Sequence, residues 1–192
     1  MIWTMRTLLP LLFLGTACLL ASADGPCVSG LAPGQRPGPY SSVVCVGPQR
    51  GQSHCYICET EDRPAVVIFA RSLDDSLAQL VRGLDKALIA HKAVDLRAWV
   101  TFLAEDQSAM DAKILDWAKQ QAIKSVPLGV FEDLGGPPSY KLNRDAEVTV
   151  LLFVKQKVVR NFAFRAGELQ EERIAEVLEA VPEIVSAAKK KE

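Results

Sequence analysis

The chain has no excess of charge of either sign: 22 Lys and Arg stand against 23 Asp and Glu in 192 residues, a net charge of −1. Without a basic footprint, nucleic acid and anionic membrane surfaces are excluded as main partners. Twelve glycines and 11 prolines are too few for a collagen-like or low-complexity chain, and 49% hydrophobic residues are too many for a disordered one. No internal repeat is present, and after Ala23 no apolar run approaches the ~20 residues that span a bilayer as a helix. Histidine is scarce too, with only His54 and His91. His91 falls at the end of a helical pattern, where a cation is favourable, and reads as a surface cap rather than a catalyst. One ordinary globular domain remains.

The first 23 residues carry Arg6, an apolar run from Leu8 to Leu20 broken by Pro10, Gly15 and Thr16, and then Ala21-Ser22-Ala23. Together these predict a secretory signal peptide cleaved after Ala23, and a mature protein that is secreted or periplasmic, without stable membrane insertion. Cys18 raises a lipoprotein alternative, but no leucine stands three residues before it. Cleavage leaves Cys27, Cys45, Cys55 and Cys58. An even number in an exported chain reads first as disulfides, and the three possible pairings stay open.

Residues 24–63, rich in Gly, Pro, Ser and Gln, predict an arm of turns with a short apolar stretch at Val43 to Val46. The main domain is expected over 64–185, with a charged tail over 186–192. Ala65 to Ala70 is a continuous apolar run of strand length, as in a strand buried on both faces. Ser72 to Asp75 reads as a capping box opening a helix from about Leu73 to His91, with Leu77, Leu80, Val81, Leu84 and Leu88 on one face. Leu96 to Ala104 is again strand-like, and Ser108 to Asp111 opens a second helix. A short strand around Val126 to Phe131, a hairpin of Val148 to Val154 with Val158 to Phe164, and a final amphipathic helix follow. Asp74, Asp75, Asp106 and Asp111 fit cap and first-turn positions better than a general acid-base pair, and Trp99 and Trp117 fit core faces.

That β-α-β-α-β-β-α order resembles the thioredoxin fold. Val148 to Lys155, then Val158-Val159 and Gly167-Glu168-Leu169, is similar to the C-terminal half of thioredoxins, and Leu31 to Tyr40 is similar to the opening segment of exported peroxiredoxin-like and thiol-specific-antioxidant proteins. The resemblance implies an α/β protein: a thioredoxin-like mixed sheet flanked by helices on both faces, with a loop-rich N-terminal arm, exported and of bacterial type. Two departures limit what carries over. The family's cysteines follow the first core strand, where a helix N-terminus stabilises a thiolate, but here Arg71 to Leu77 holds no cysteine. The family's cis-proline has Val148 in its place, and Val126-Pro127 belongs to another element.

Cys55-Tyr56-Ile57-Cys58 has the spacing of a redox dithiol and is the candidate catalytic pair. Pro64 follows too closely for a helix to start at the motif, and Glu59, Glu61 and Asp62 disfavour a thiolate, opposed by His54 and Arg63. Three alternatives stay open: a structural disulfide, a thiol-disulfide or antioxidant pair, and a metal site that adds Cys27 or Cys45. A straight strand would hold Cys55 and Cys58 near ~10 Å apart at Cα, so a local disulfide requires a turn; a hairpin could instead join Cys45 to Cys55 and leave Cys58 for Cys27. The local pair is favoured because both its flanks are polar. No cofactor is expected, and the partner is a thiol substrate or another protein. The rival to a redox role is a non-catalytic binding or scaffold domain with structural disulfides.

Overall fold

Six residues of β3, Ala65–Ala70, are all buried, because each parity of the strand faces its own apolar layer. The structure, a computed structural model, describes residues 25–189. The expected signal peptide, with Arg6 and Cys18, and the last two lysines lie outside the described residues. β3 is flanked by β4 (Arg97–Leu103) in parallel and by β6 (Val148–Val154) antiparallel, so that Val67 stands opposite both Trp99 and Leu151. With β1 (Ser42–Val46), β2 (Ser53–His54), β5 (Leu128–Phe131) and β7 (Lys157–Phe164), one mixed sheet runs in the order β2-β1-β5-β4-β3-β6-β7. The three strands read from their apolar runs lie side by side, as expected.

Val66, Ile68 and Ala70 face one core, shared with α1 (Asp75–Ala90), α2 (Gln107–Gln120) and α3 (Glu171–Lys189). Leu80 of α1 is fully buried there, a burial that stabilises by about 1.5–3 kcal/mol. Ala65, Val67 and Phe69 face a second core. Its cover is the arm, through Leu31 and Tyr40, and two one-turn 3-10 helices, Ile57–Glu59 and Pro138–Tyr140. Both faces are thus covered, with the long helices all on one side. Arm and sheet are tied by Ser29 Oγ and Thr149 Oγ1 at 2.7 Å and by Asn161 Nδ2, which donates to the carbonyls of Ser29 and Leu31 at 2.8 Å each. Gly30 lies so close to β6, at φ +87°, that a Cβ would meet Thr149 Cγ2 at 2.8 Å.

Three boundaries differ from expectation, each for a hydrogen-bonding reason. α1 is capped by Asp74, which accepts from Leu77 N at 2.7 Å, while Ser72 donates to the same carboxylate. α2 is capped by Asp106 rather than Ser108, with Ala109 N at 2.9 Å, and Asp111 instead pairs with Arg50 at 3.0 Å. β5 starts at Leu128 because the N–H groups of Lys124, Ser125 and Val126 all donate to the buried carboxylate of Asp85 at 2.8 Å. The β6–β7 turn is two residues, Lys155-Gln156, both at positive φ, which matches strand twist in a tight hairpin. His91 closes α1 as its C-cap.

Candidate functional site

Directly after β2 the chain turns instead of continuing as a strand. Cys58 lies in the 3-10 helix Ile57–Glu59, and its N–H donates to Cys55 O at 3.2 Å. This brings the two Cα atoms to 5.4 Å, and Cys55 and Cys58 are joined as a disulfide. Cys27 and Cys45 are free thiols, so the even count does not mean that every cysteine is paired. The Cys45–Cys55 alternative fails on sidedness: Cys45 is buried in the helix-side core, whereas Cys55 packs against the core on the opposite face of the sheet. Among the described residues no three His, Cys, Asp or Glu side chains group to hold a metal.

The turn is anchored by its own side chains. Ile57 is buried, and Tyr56 stacks over Trp99 with ring centroids 5.7 Å apart. Trp99 in turn donates from Nε1 to Tyr40 Oη at 2.8 Å, and Tyr40 is 2.7 Å from Thr101 Oγ1, so arm, turn and β4 form one assembly. Thr60 Oγ1 donates to Tyr56 O at 2.9 Å, and the Arg63 guanidinium donates to the carbonyls of Glu59 and Thr60, satisfying the groups left open at the end of the turn.

Charge around the sulfurs is partly matched. Glu59 lies 3.4 Å from His54 Nε2, Glu61 3.8 Å from Arg63, and Arg63 2.8 Å from Asp95. The Asp95 carboxyl is held below its ordinary value by its hydrogen bonds from Arg63 and Arg97. Burial, with Glu59 close by, pushes the Tyr56 phenol up to about 12. His54 packs edge-on against Tyr56 at 4.4 Å.

Cys58 is exposed and Cys55 half-buried, so Cys58 is the more accessible residue of the pair. It opens into a cavity of about 240 Å³ lined by Arg36, Pro37, Pro39, Ile57, Cys58 and Gln156. Arg36 comes from the arm and donates to Gln156 Oε1 at the tip of the β6–β7 hairpin. Sequence reasoning missed both residues, because only the pairing of Gly34 N with Val158 O at 2.7 Å, and of Val158 N with Gln35 O at 2.9 Å, brings the arm to that hairpin. A second cavity of about 260 Å³ has Tyr56, Leu88, Leu96, Trp99 and Pro127 in its wall, but neither sulfur lines it.

The other end of β3 carries no cysteine. Arg71 follows the strand and donates from Nε to Ala146 O at 2.9 Å, from Nη2 to Asn143 O at 3.2 Å, and from Nη1 to Leu134 O. Burial lowers its pKa from the ordinary value. Val148, at the place of the family's cis-proline, is a regular ladder residue opposite Ala70 and Phe164, and no cis peptide occurs among the described residues.

No protein-family model and no curated protein matches the chain in sequence. Solved structures do match it in shape. A Bacteroides thetaiotaomicron protein proposed to be a protein disulfide isomerase superposes with a TM-score of 0.62 at 18% identity, covering 82% of this chain and 93% of that one. A secreted thiol-disulfide isomerase from Corynebacterium glutamicum gives 0.59 at 13% identity, covering 79% and 86%. AhpC of Mycobacterium tuberculosis gives 0.61 at 13% identity, covering 80% and 98%. At such identities the likeness shows the fold, which is thioredoxin-like.

Proposed function

We propose that this thioredoxin-fold protein is an exported thiol-disulfide redox protein working through Cys55 and Cys58. The observation that carries the proposal is that Cys58, an exposed residue of a formed disulfide, lines a cavity. A substrate thiolate attacks Cys58 Sγ along the S–S axis, the Cys55–Cys58 bond breaks, and Cys55 leaves as a thiolate that takes up a proton from water. A second substrate thiol then attacks the substrate sulfur of the mixed disulfide and releases Cys58. The substrate dithiol is oxidised by two electrons and the protein pair is reduced. The signal-like segment from Met1 to Ala23 supports an oxidising compartment, where such a disulfide persists. Among the described residues no helix is long and apolar enough to cross a membrane.

A second reading has its own support: the packing of Tyr56 on Trp99 and of Ile57 in the core suits a non-catalytic domain whose disulfide staples the arm. Thiol titration separates the two. A working pair yields two new titratable thiols when the native protein is treated with mild reductant, without denaturant. A disulfide that opens only on unfolding would overturn the redox function in favour of the staple.

A further inference from the structure

The wall opposite Cys58 in its cavity is a guanidinium with no acidic partner. Arg36 is exposed, it donates to the neutral amide oxygen of Gln156, and among the described residues no carboxylate pairs with it. Of the carboxylates near Cys58 in sequence, Glu59 lies 3.4 Å from His54 Nε2 and Glu61 3.8 Å from Arg63. Arg36 is the one charged side chain among the described residues that line this cavity. A guanidinium fork matches a carboxylate in two parallel hydrogen bonds between opposite charges, whereas the amide oxygen of Gln156 offers Arg36 only a neutral dipole. The cavity, at about 240 Å³, falls below the ~300–1,000 Å³ of clefts that take drug-sized ligands, which suits a small molecule.

Resting on the redox function above, we propose that the thiol exchanging with Cys58 is a small thiol bearing a carboxylate, and that Arg36 is the residue that selects it. The carboxylate displaces the Gln156 amide from Arg36 and sets the thiolate over Cys58 Sγ. Attack forms the small-thiol–Cys58 disulfide and breaks the Cys55–Cys58 bond, and Cys55 departs as a thiolate and is protonated. A second molecule of the small thiol attacks the first one's sulfur, releasing the symmetric small disulfide and the Cys58 thiol. Two small thiols are oxidised and one protein disulfide is reduced; run in reverse, the same steps reduce the small disulfide.

The test uses the full chain and two probes, 3-mercaptopropionate and 2-mercaptoethanol, with opening rates of the native disulfide compared per thiolate. The wild type is expected to favour the carboxylated thiol, and Arg36→Gln to lower the ratio of the two rates by about fivefold, the upper range for an exposed ion pair. Gln156→Glu, which ties Arg36 to a carboxylate of the protein's own, is expected to lower the ratio in the same direction. Added salt should narrow the wild-type preference. Equal ratios in wild type and both variants would overturn the assignment of Arg36 while leaving the redox function standing. Failure of both probes to open the native disulfide would overturn the redox function itself, and this proposal with it.

Discussion

The two ends of β3 show the same sheet used in opposite ways. At its C-terminal end stands α1, with a helix N-terminus of the kind that can stabilise a thiolate, yet its capping oxygen belongs to Asp74 and the adjoining carbonyls are filled by Arg71. Asp74 and Arg71 tie this end to α1 and to the loops before β6, so the end is a joint. Six strand residues away, a distance of ~17 Å at strand rise, the chain before β3 makes a single 3-10 turn with a disulfide, an exposed cysteine and an arginine without a carboxylate. The helix N-terminus of α1 and the Cys55–Cys58 disulfide therefore lie toward opposite ends of β3.

That contrast can be broken at several points. The largest effect is expected from Cys55→Ser with Cys58→Ser, which should abolish disulfide exchange in an insulin-reduction or small-disulfide assay and lower stability by about 2 kcal/mol through the lost cross-link. Activity surviving in the double variant would show that the chemistry does not run through Cys55 and Cys58 and would end the comparison. Arg71→Met should act inversely. Three carbonyls lose a charged donor, and urea unfolding should report a loss of about 2–4 kcal/mol with exchange rates unchanged. A fall in exchange rate equal to that of the cysteine variant would show that the two ends are coupled.

Asp74→Ala should cost about 1 kcal/mol as the loss of an N-cap, again without effect on exchange. The smallest effect belongs to Cys45, a thiol at neither end. Its pKa is pushed up to about 12, first by burial and then by Asp111. The folded value lies above the unfolded one, so its contribution to stability is whole below the unfolded pKa of ~8.5 and is lost as pH rises towards the folded value; by pH 9 the loss is below ~1 kcal/mol. Urea midpoints between pH 8 and 9 should fall less in Cys45→Ala than in wild type. In the native protein at pH 8, iodoacetamide should leave Cys45 unlabelled.

Much of this molecule was legible in its residues for local reasons. Continuous apolar runs place β3, β4 and β6, and helical spacing places Leu77, Leu80 and Leu84 on the core, whereas the expected helices on the second face are replaced there by the arm, through Leu31 and Tyr40, and two single 3-10 turns. The distance between neighbouring residues in a strand already required Cys55 and Cys58 to be turned if they pair, and they are. Caps were harder to place, because Ser72, Asp74, Asp106 and Ser108 compete over a few residues and only the final geometry decides which oxygen reaches the free N–H. Asp85 gave no signal at all, since a carboxylate inside a helix reveals nothing of the three N–H groups it meets from the loop before β5.

The sequence by itself determined which segments form the buried strands and amphipathic helices, and that cysteine is absent from the helix start after β3, because each of these is written in residues a few positions apart. Only the tertiary structure decided that Cys45 and Cys55 face opposite sides of the sheet, that Arg71 fills the carbonyls after β3, and that Arg36 and Gln156 line one cavity with Cys58. These contacts join residues far apart in the chain, and their geometry exists only once the strands have paired and the arm has folded back across them.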